Sequence, residues 1–187
     1  MEPNRFAELG VLGVLAEEPA DTETVRERLR HNFSRYWTAG YGALEPTVER
    51  LREAGHVTAV TSVTAAGRRE TEYAITDDGR ERLRTLLNEP IPDDEIPMGG
   101  PRLVLTIGFL HHLPADERSE RLAALIDRFE RARSRWHDVK ATHEETLAEP
   151  TGYRRDLQDL AIRLVDTYCQ WLTDLRDELE AEPQRRS

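Results

Sequence analysis

The chain has one cysteine in 187 residues, Cys169, which excludes an internal disulfide framework and makes a reducing cytoplasm the expected compartment. No run of eighteen apolar residues occurs, so no transmembrane helix is expected, and no apolar stretch behind Met1-Glu-Pro-Asn-Arg has the length of a signal peptide. Lysine is nearly missing: Lys140 stands alone and the other 25 basic residues are arginine. The net charge of −10 lacks the basic field of a nonspecific nucleic-acid binder. Up to Glu89 there are 12 basic and 16 acidic residues, and from Pro90 on 14 and 20, so any surface for DNA must be local. A Gly-rich phosphate loop, a serine elbow and a His-Glu-x-x-His pair are all absent, so neither catalysis nor a cofactor is expected. Nor is a metal site: His111 and His112 are adjacent and should point apart, while His137 and His143 lie six apart with no cysteine to join them.

What is present centres on Tyr36 to Val57. Leu44, Val48 and Leu51 recur at helical spacing and define one buried stripe, with Pro46, Glu49, Arg50 and Glu53 on the other side. Gly40 and Gly42 give a flexible entry, Pro46 fits only near the first turn, and Gly55 falls where a left-handed cap ends the helix by about Ala54. Two strand patterns follow, Val57–Val63 and Glu70–Ile75, around a turn containing Gly67, Arg68 and Arg69. Upstream, Phe6 to Glu17 reads as a mostly buried helix, and Asp21 or Thr22 can cap a second helix with Val25 and Leu29 facing inward. Downstream, Thr76 can cap a helix whose buried side is Leu83, Leu86 and Leu87. Helices around a hairpin in this order are the layout of a winged helix-turn-helix.

Trp37-Thr-Ala-Gly-Tyr-Gly-Ala-Leu-Glu-Pro-Thr-Val-Glu-Arg-Leu-Arg-Glu-Ala-Gly-His-Val resembles the recognition-helix signature of PadR-type regulators, the phenolic-acid-decarboxylase repressor family, and Tyr73-Ala-Ile-Thr-Asp-Asp-Gly is similar to that family's motif after the second wing strand. The resemblance spans about residues 5 to 88 and implies a transcriptional regulator, a repressor, that binds double-stranded DNA and answers to a small ligand. Three positions depart from the pattern: Glu45 stands for the family's tyrosine before proline, Gly40 for its serine, and Asp21-Thr-Glu-Thr for the His-Gly-Tyr opening of the second helix. The candidate DNA contacts are Tyr41, Gly42, Pro46, Thr47 and Arg50 in and before the helix, with Arg68 and Arg69 at the wing tip. Glu45, Glu49 and Glu53 oppose phosphates on or beside the same face, which keeps open an interaction module without DNA binding.

Asn88 to Pro101 has linker composition, which suggests a DNA-binding domain at 1–88, a linker at 89–101 and a helical dimerisation domain at 102–187. In the last of these, Leu122, Leu125, Phe129, Ala132, Trp136, Val139, His143 and Leu147 step by three and four and resemble a coiled-coil seam. Leu157, Leu160, Leu164, Tyr168, Trp171 and Leu175 do the same on the final helix, and Val165 and Leu172 widen that stripe. Two such helices carry more apolar surface than one hairpin can bury, so a homodimer through the final helix is expected. Trp136, Tyr168 and Trp171 are candidates for a small aromatic or hydrophobic effector, with ordinary bundle packing as the alternative. The fold class expected is mainly α with a small β-hairpin wing.

Overall fold

The computed structural model describes residues 5–38, 44–63, 69–92, 96, 100–146 and 153–185. Its elements are α1 (Arg5–Glu17), α2 (Thr22–Thr38), α3 (Glu45–Glu53), β1 (Val57–Val63), β2 (Arg69–Ile75), α4 (Asp77–Asn88), α5 (Pro101–Gly108), a 3-10 turn (Leu110–His112), α6 (Ala115–Thr146) and α7 (Arg154–Arg185). The mainly helical class with one antiparallel hairpin is as expected. None of the helices described is long and apolar enough to cross a membrane. Residue contacts divide the chain into two units: 1–90 with 101–113, and 91–100 with 114–187. The division at 1–88, 89–101 and 102–187 remains a proposal; Pro101–Leu113 groups with the first unit, where α5 meets α1 and α2.

In the first unit α1 is the central post. Every residue from Ala7 to Leu15 is buried, as suits a helix apolar nearly all round. Val25 and Leu29 of α2, the Leu44–Val48–Leu51 stripe, Leu83, Leu86 and Leu87 of α4, and Leu103, Leu105 and Phe109 in and after α5 join it in this core. Three helix ends in this unit have a local cause. Asp21 accepts from the Thr24 amide at 2.7 Å to start α2, and that bond holds its carboxyl below the ordinary aspartate value. Ala54, Gly55 and His56 close α3 in a Schellman arrangement. Gly55 adopts φ 78°, its amide donates to the Arg52 carbonyl, and the His56 amide donates to that of Leu51. Thr76 starts α4 by accepting from the Gly79 amide at 3.0 Å, and its hydroxyl donates to the Gly55 carbonyl at 2.7 Å.

The hairpin runs from Val57 opposite Ile75 to Val63 opposite Arg69, so β2 begins one residue before the expected Glu70. A further pairing had no signal in the pattern: Ala20 and Tyr73 exchange both backbone hydrogen bonds, at 2.9 and 3.1 Å. The extended residue after Pro19 thus extends the sheet and fixes the wing base beside α1 and α2.

The paired histidines depart from expectation. The chain tightens into a 3-10 turn at Leu110–His112, and the two rings come together, centroids 4.1 Å apart, instead of pointing away. Burial, and next the adjacent His111, lower the His112 pKa to about 4, against a hydrogen bond to the Gly13 backbone that acts the other way.

The second unit is an α6–α7 hairpin. Lys140 meets Asp159 at 2.8 Å near the turn, whereas Phe129 meets Tyr168 farther along, so the helices are antiparallel. From α6 the buried apolar residues are Leu122, Leu125, Ile126, Phe129 and Ala132; from α7 they are Ala161, Ile162, Val165, Cys169 and Leu172. Cys169 is a small core residue there, and burial raises its thiol pKa. Ile91 and Ile96 are buried too, so the proline-rich stretch holds two core side chains.

Candidate nucleic-acid interface

Helix α3 turns Leu44, Thr47, Val48 and Leu51 inward and leaves Glu45, Pro46, Glu49, Arg52 and Glu53 exposed. Pro46 sits in the first turn, where its missing amide costs nothing. Thr47, one of the candidate contacts, is 4% exposed and faces the core, because it lies three residues after Leu44 and one before Val48. Tyr41, Gly42 and Arg68 lie outside the described residues. Arg69 opens β2, the second strand of the wing.

Arg50 is not opposite the buried stripe, as expected, but on its flank. Its guanidinium donates to Glu8 Oε1 of α1 at 3.2 Å, and Arg82 of α4 donates to Glu8 Oε2 at 2.8 Å. Glu8 is therefore a buried carboxylate between two cations, and it ties the candidate recognition helix to α1 and α4. The Arg50 side chain is still 39% exposed, so part of the fork remains at the surface.

The acidic residues of this face bring their own counter-ions. Arg26 of α2 donates to Glu45 Oε1 at 2.7 Å and also pairs with Glu23, and the Arg26 bond lowers the Glu45 pKa. Arg52 donates through Nε to Glu49 Oε2 at 2.9 Å and lowers the Glu49 pKa in the same way. The departure at Glu45 is thus matched by Arg26, and the two helices of the helix-turn-helix are pinned across their junction. Arg52 was missed as a candidate. It follows Val48 by four residues yet lies on the edge of the stripe opposite from Arg50, so the helix has one arginine on each flank of Pro46, Glu49 and Glu53.

On the hairpin of the second unit, Tyr168 lies with its ring 5.0 Å from Phe129 and edge-on to Trp171 at 6.4 Å. Burial raises the Tyr168 pKa. Trp136 is half-buried, but the antiparallel register sets it level with about Ala161, roughly 10 Å along the helix from Tyr168. The candidate effector trio is therefore a pair, Tyr168 with Trp171, and a separate Trp136.

The arrangement of α1, α2 and an outward-facing α3 beside a two-stranded wing defines a winged helix-turn-helix protein. Residues 11–85 match the transcriptional regulator PadR-like family. It is 21% identical over 184 residues to the negative transcriptional regulator PadR of Bacillus subtilis, covering 91% of this chain and 96% of that one. Among solved structures it is similar to Bacillus subtilis PadR in complex with operator DNA (18% identity, 95% and 99% of the two chains, TM-score 0.43). It is also similar to the same protein in complex with p-coumaric acid (19%, 96% and 98%, TM-score 0.41). The family is one of regulators, not enzymes.

Proposed function

We propose that this regulator acts in the cytoplasm as a homodimeric repressor, reading double-stranded DNA with α3 and the wing and released by a small aromatic ligand. The observation that carries the dimer is a second apolar row on α7. Leu157, Leu160 and Trp171 are 63%, 47% and 45% exposed, and Leu164, Tyr168 and Leu175 of the same row are half-buried. This row lies beside the Ala161–Val165–Cys169–Leu172 seam that α6 already covers. A row this long, at a repeat suited to helix packing, fits the same row of a second copy. Leu157→Glu with Leu160→Glu is expected to convert a dimer at micromolar concentration into a helical monomer, read by sedimentation and circular dichroism. A wild-type monomer would end the dimer reading.

DNA binding rests on the wing, on the exposed face of α3 and on the counter-ions held by its acids. Arg50→Ala should cost about 1–3 kcal/mol of binding to the protein's own upstream DNA and relax preference at one position. Arg68→Ala with Arg69→Ala should weaken all sequences alike and flatten the salt dependence. Because Arg50 also holds Glu8, the wing pair is the arm of the experiment that leaves the core untouched. Undiminished binding in the triple variant would remove this surface, and no binding at all by the wild type would favour the interaction module that the acidic face of α3 permits. Phenolic acids added to the same gel shift test release: the ligand must prefer the form that does not bind DNA, since equal affinity for both forms shifts nothing.

A further inference from the structure

The geometry points to a transition-metal site in the first unit, formed by Glu17, His111 and His112, that takes a divalent cation of the zinc, cobalt or nickel class. One ligand atom from each of the three residues lies within 4.8 Å of the others. His111 Nε2 is 3.9 Å from Glu17 Oε1. His112 Nε2 is buried without a hydrogen-bond partner, which is costly for a polar atom unless something binds there.

The opposite side of each ring is already engaged. His111 Nδ1 is 3.2 Å from the Gly108 carbonyl, and His112, whose Nε2 has no partner, is hydrogen-bonded to the Gly13 backbone through its other nitrogen. A ring that donates from Nδ1 to a carbonyl keeps its proton there and presents a lone pair at Nε2, which is how protein histidines are set for metals. Two neutral imidazoles and one carboxylate match zinc-class cations, not calcium or magnesium, which prefer oxygen. Bonds of about 2.0–2.2 Å bring ligand atoms to roughly 3–3.5 Å from one another. The Glu17–His111 pair therefore has to close by roughly 0.5–1 Å, and any pair near the 4.8 Å limit by roughly 1.5 Å, adjustments within the reach of exposed side chains. Arg80, whose guanidinium lies 3.4 Å from the Ala16 carbonyl, is the nearby opposing charge, and the Glu17 carboxylate offsets it. A bound cation would join the end of α1 to the turn that closes the first unit.

Untagged, metal-free full-length protein titrated with CoCl2 should bind one Co2+ per chain with visible d–d absorption, and ZnCl2 should displace it. His111→Gln and Glu17→Gln, both at exposed positions, should each weaken Co2+ on the order of 100-fold, whereas His137→Gln on α6 should change nothing. Co2+ binding equal in wild type and both variants, or none at tens of micromolar metal, would overturn the site.

Discussion

Gly79→Ala is expected to destabilise the first unit by about 3–5 kcal/mol, read as a fall in the urea midpoint by circular dichroism. A Cβ at Gly79 would stand 2.0 Å from the His56 carbonyl oxygen and 2.8 Å from Ile75 Cγ1. Ordinary overpacking costs about 1–3 kcal/mol because side chains give way. Here the obstacle is backbone. The His56 carbonyl accepts from the Thr76 amide at 3.0 Å, and the Gly79 amide itself caps α4 through Thr76, so moving either peptide breaks hydrogen bonds already made. Gly55→Ala is the control: its added methyl meets nothing within 4 Å, and only the positive φ opposes it, at about 1 kcal/mol. Equal losses at the two glycines would show that the close approach at Gly79 is relieved cheaply.

The second large effect is at Glu8. Arg50→Ala with Arg82→Ala should cost about 3–5 kcal/mol, since it leaves a buried carboxylate with neither cation. Glu8→Leu in the same background should recover most of that loss, because an apolar side chain suits the surroundings of α1 and the desolvation cost disappears. The two arginines are 39% and 27% exposed, so water reaches part of each fork and the lower end of the range applies. A denaturation cycle over the three positions measures the coupling. Additive losses would mean that Glu8 is solvated in solution.

Local signals made much of the first unit legible. The Leu44–Val48–Leu51 spacing, the glycine after Ala54 and the threonine before Asp77-Asp78 each act within a few residues, and the helix, its left-handed end and the cap all stand where those signals put them. The features that escaped notice depend on residues far apart in the chain. Glu8 is one acid in an apolar run, and nothing within a helical turn shows that its partners are 42 and 74 residues away. The Ala20–Tyr73 bridge has the same character. His111 and His112 were judged by ordinary alternation, which fails where the chain tightens into a 3-10 turn. On α7 the apolar positions were legible, but not their sorting into one row against α6 and one left exposed, because periodicity gives a stripe's width and not its partners.

The Thr76 hydroxyl, accepting from Gly79 and donating to Gly55, belongs at once to the end of α3, the foot of β2 and the start of α4. A rotation of the wing about its base would have to pull on the last turn of α3. In the DNA-binding mode proposed above, helix and hairpin would approach a duplex as two prongs of one fork, with their spacing set before contact. Little orientational freedom at the wing base remains to be lost on docking, and a duplex whose grooves do not match that spacing must itself bend to fit.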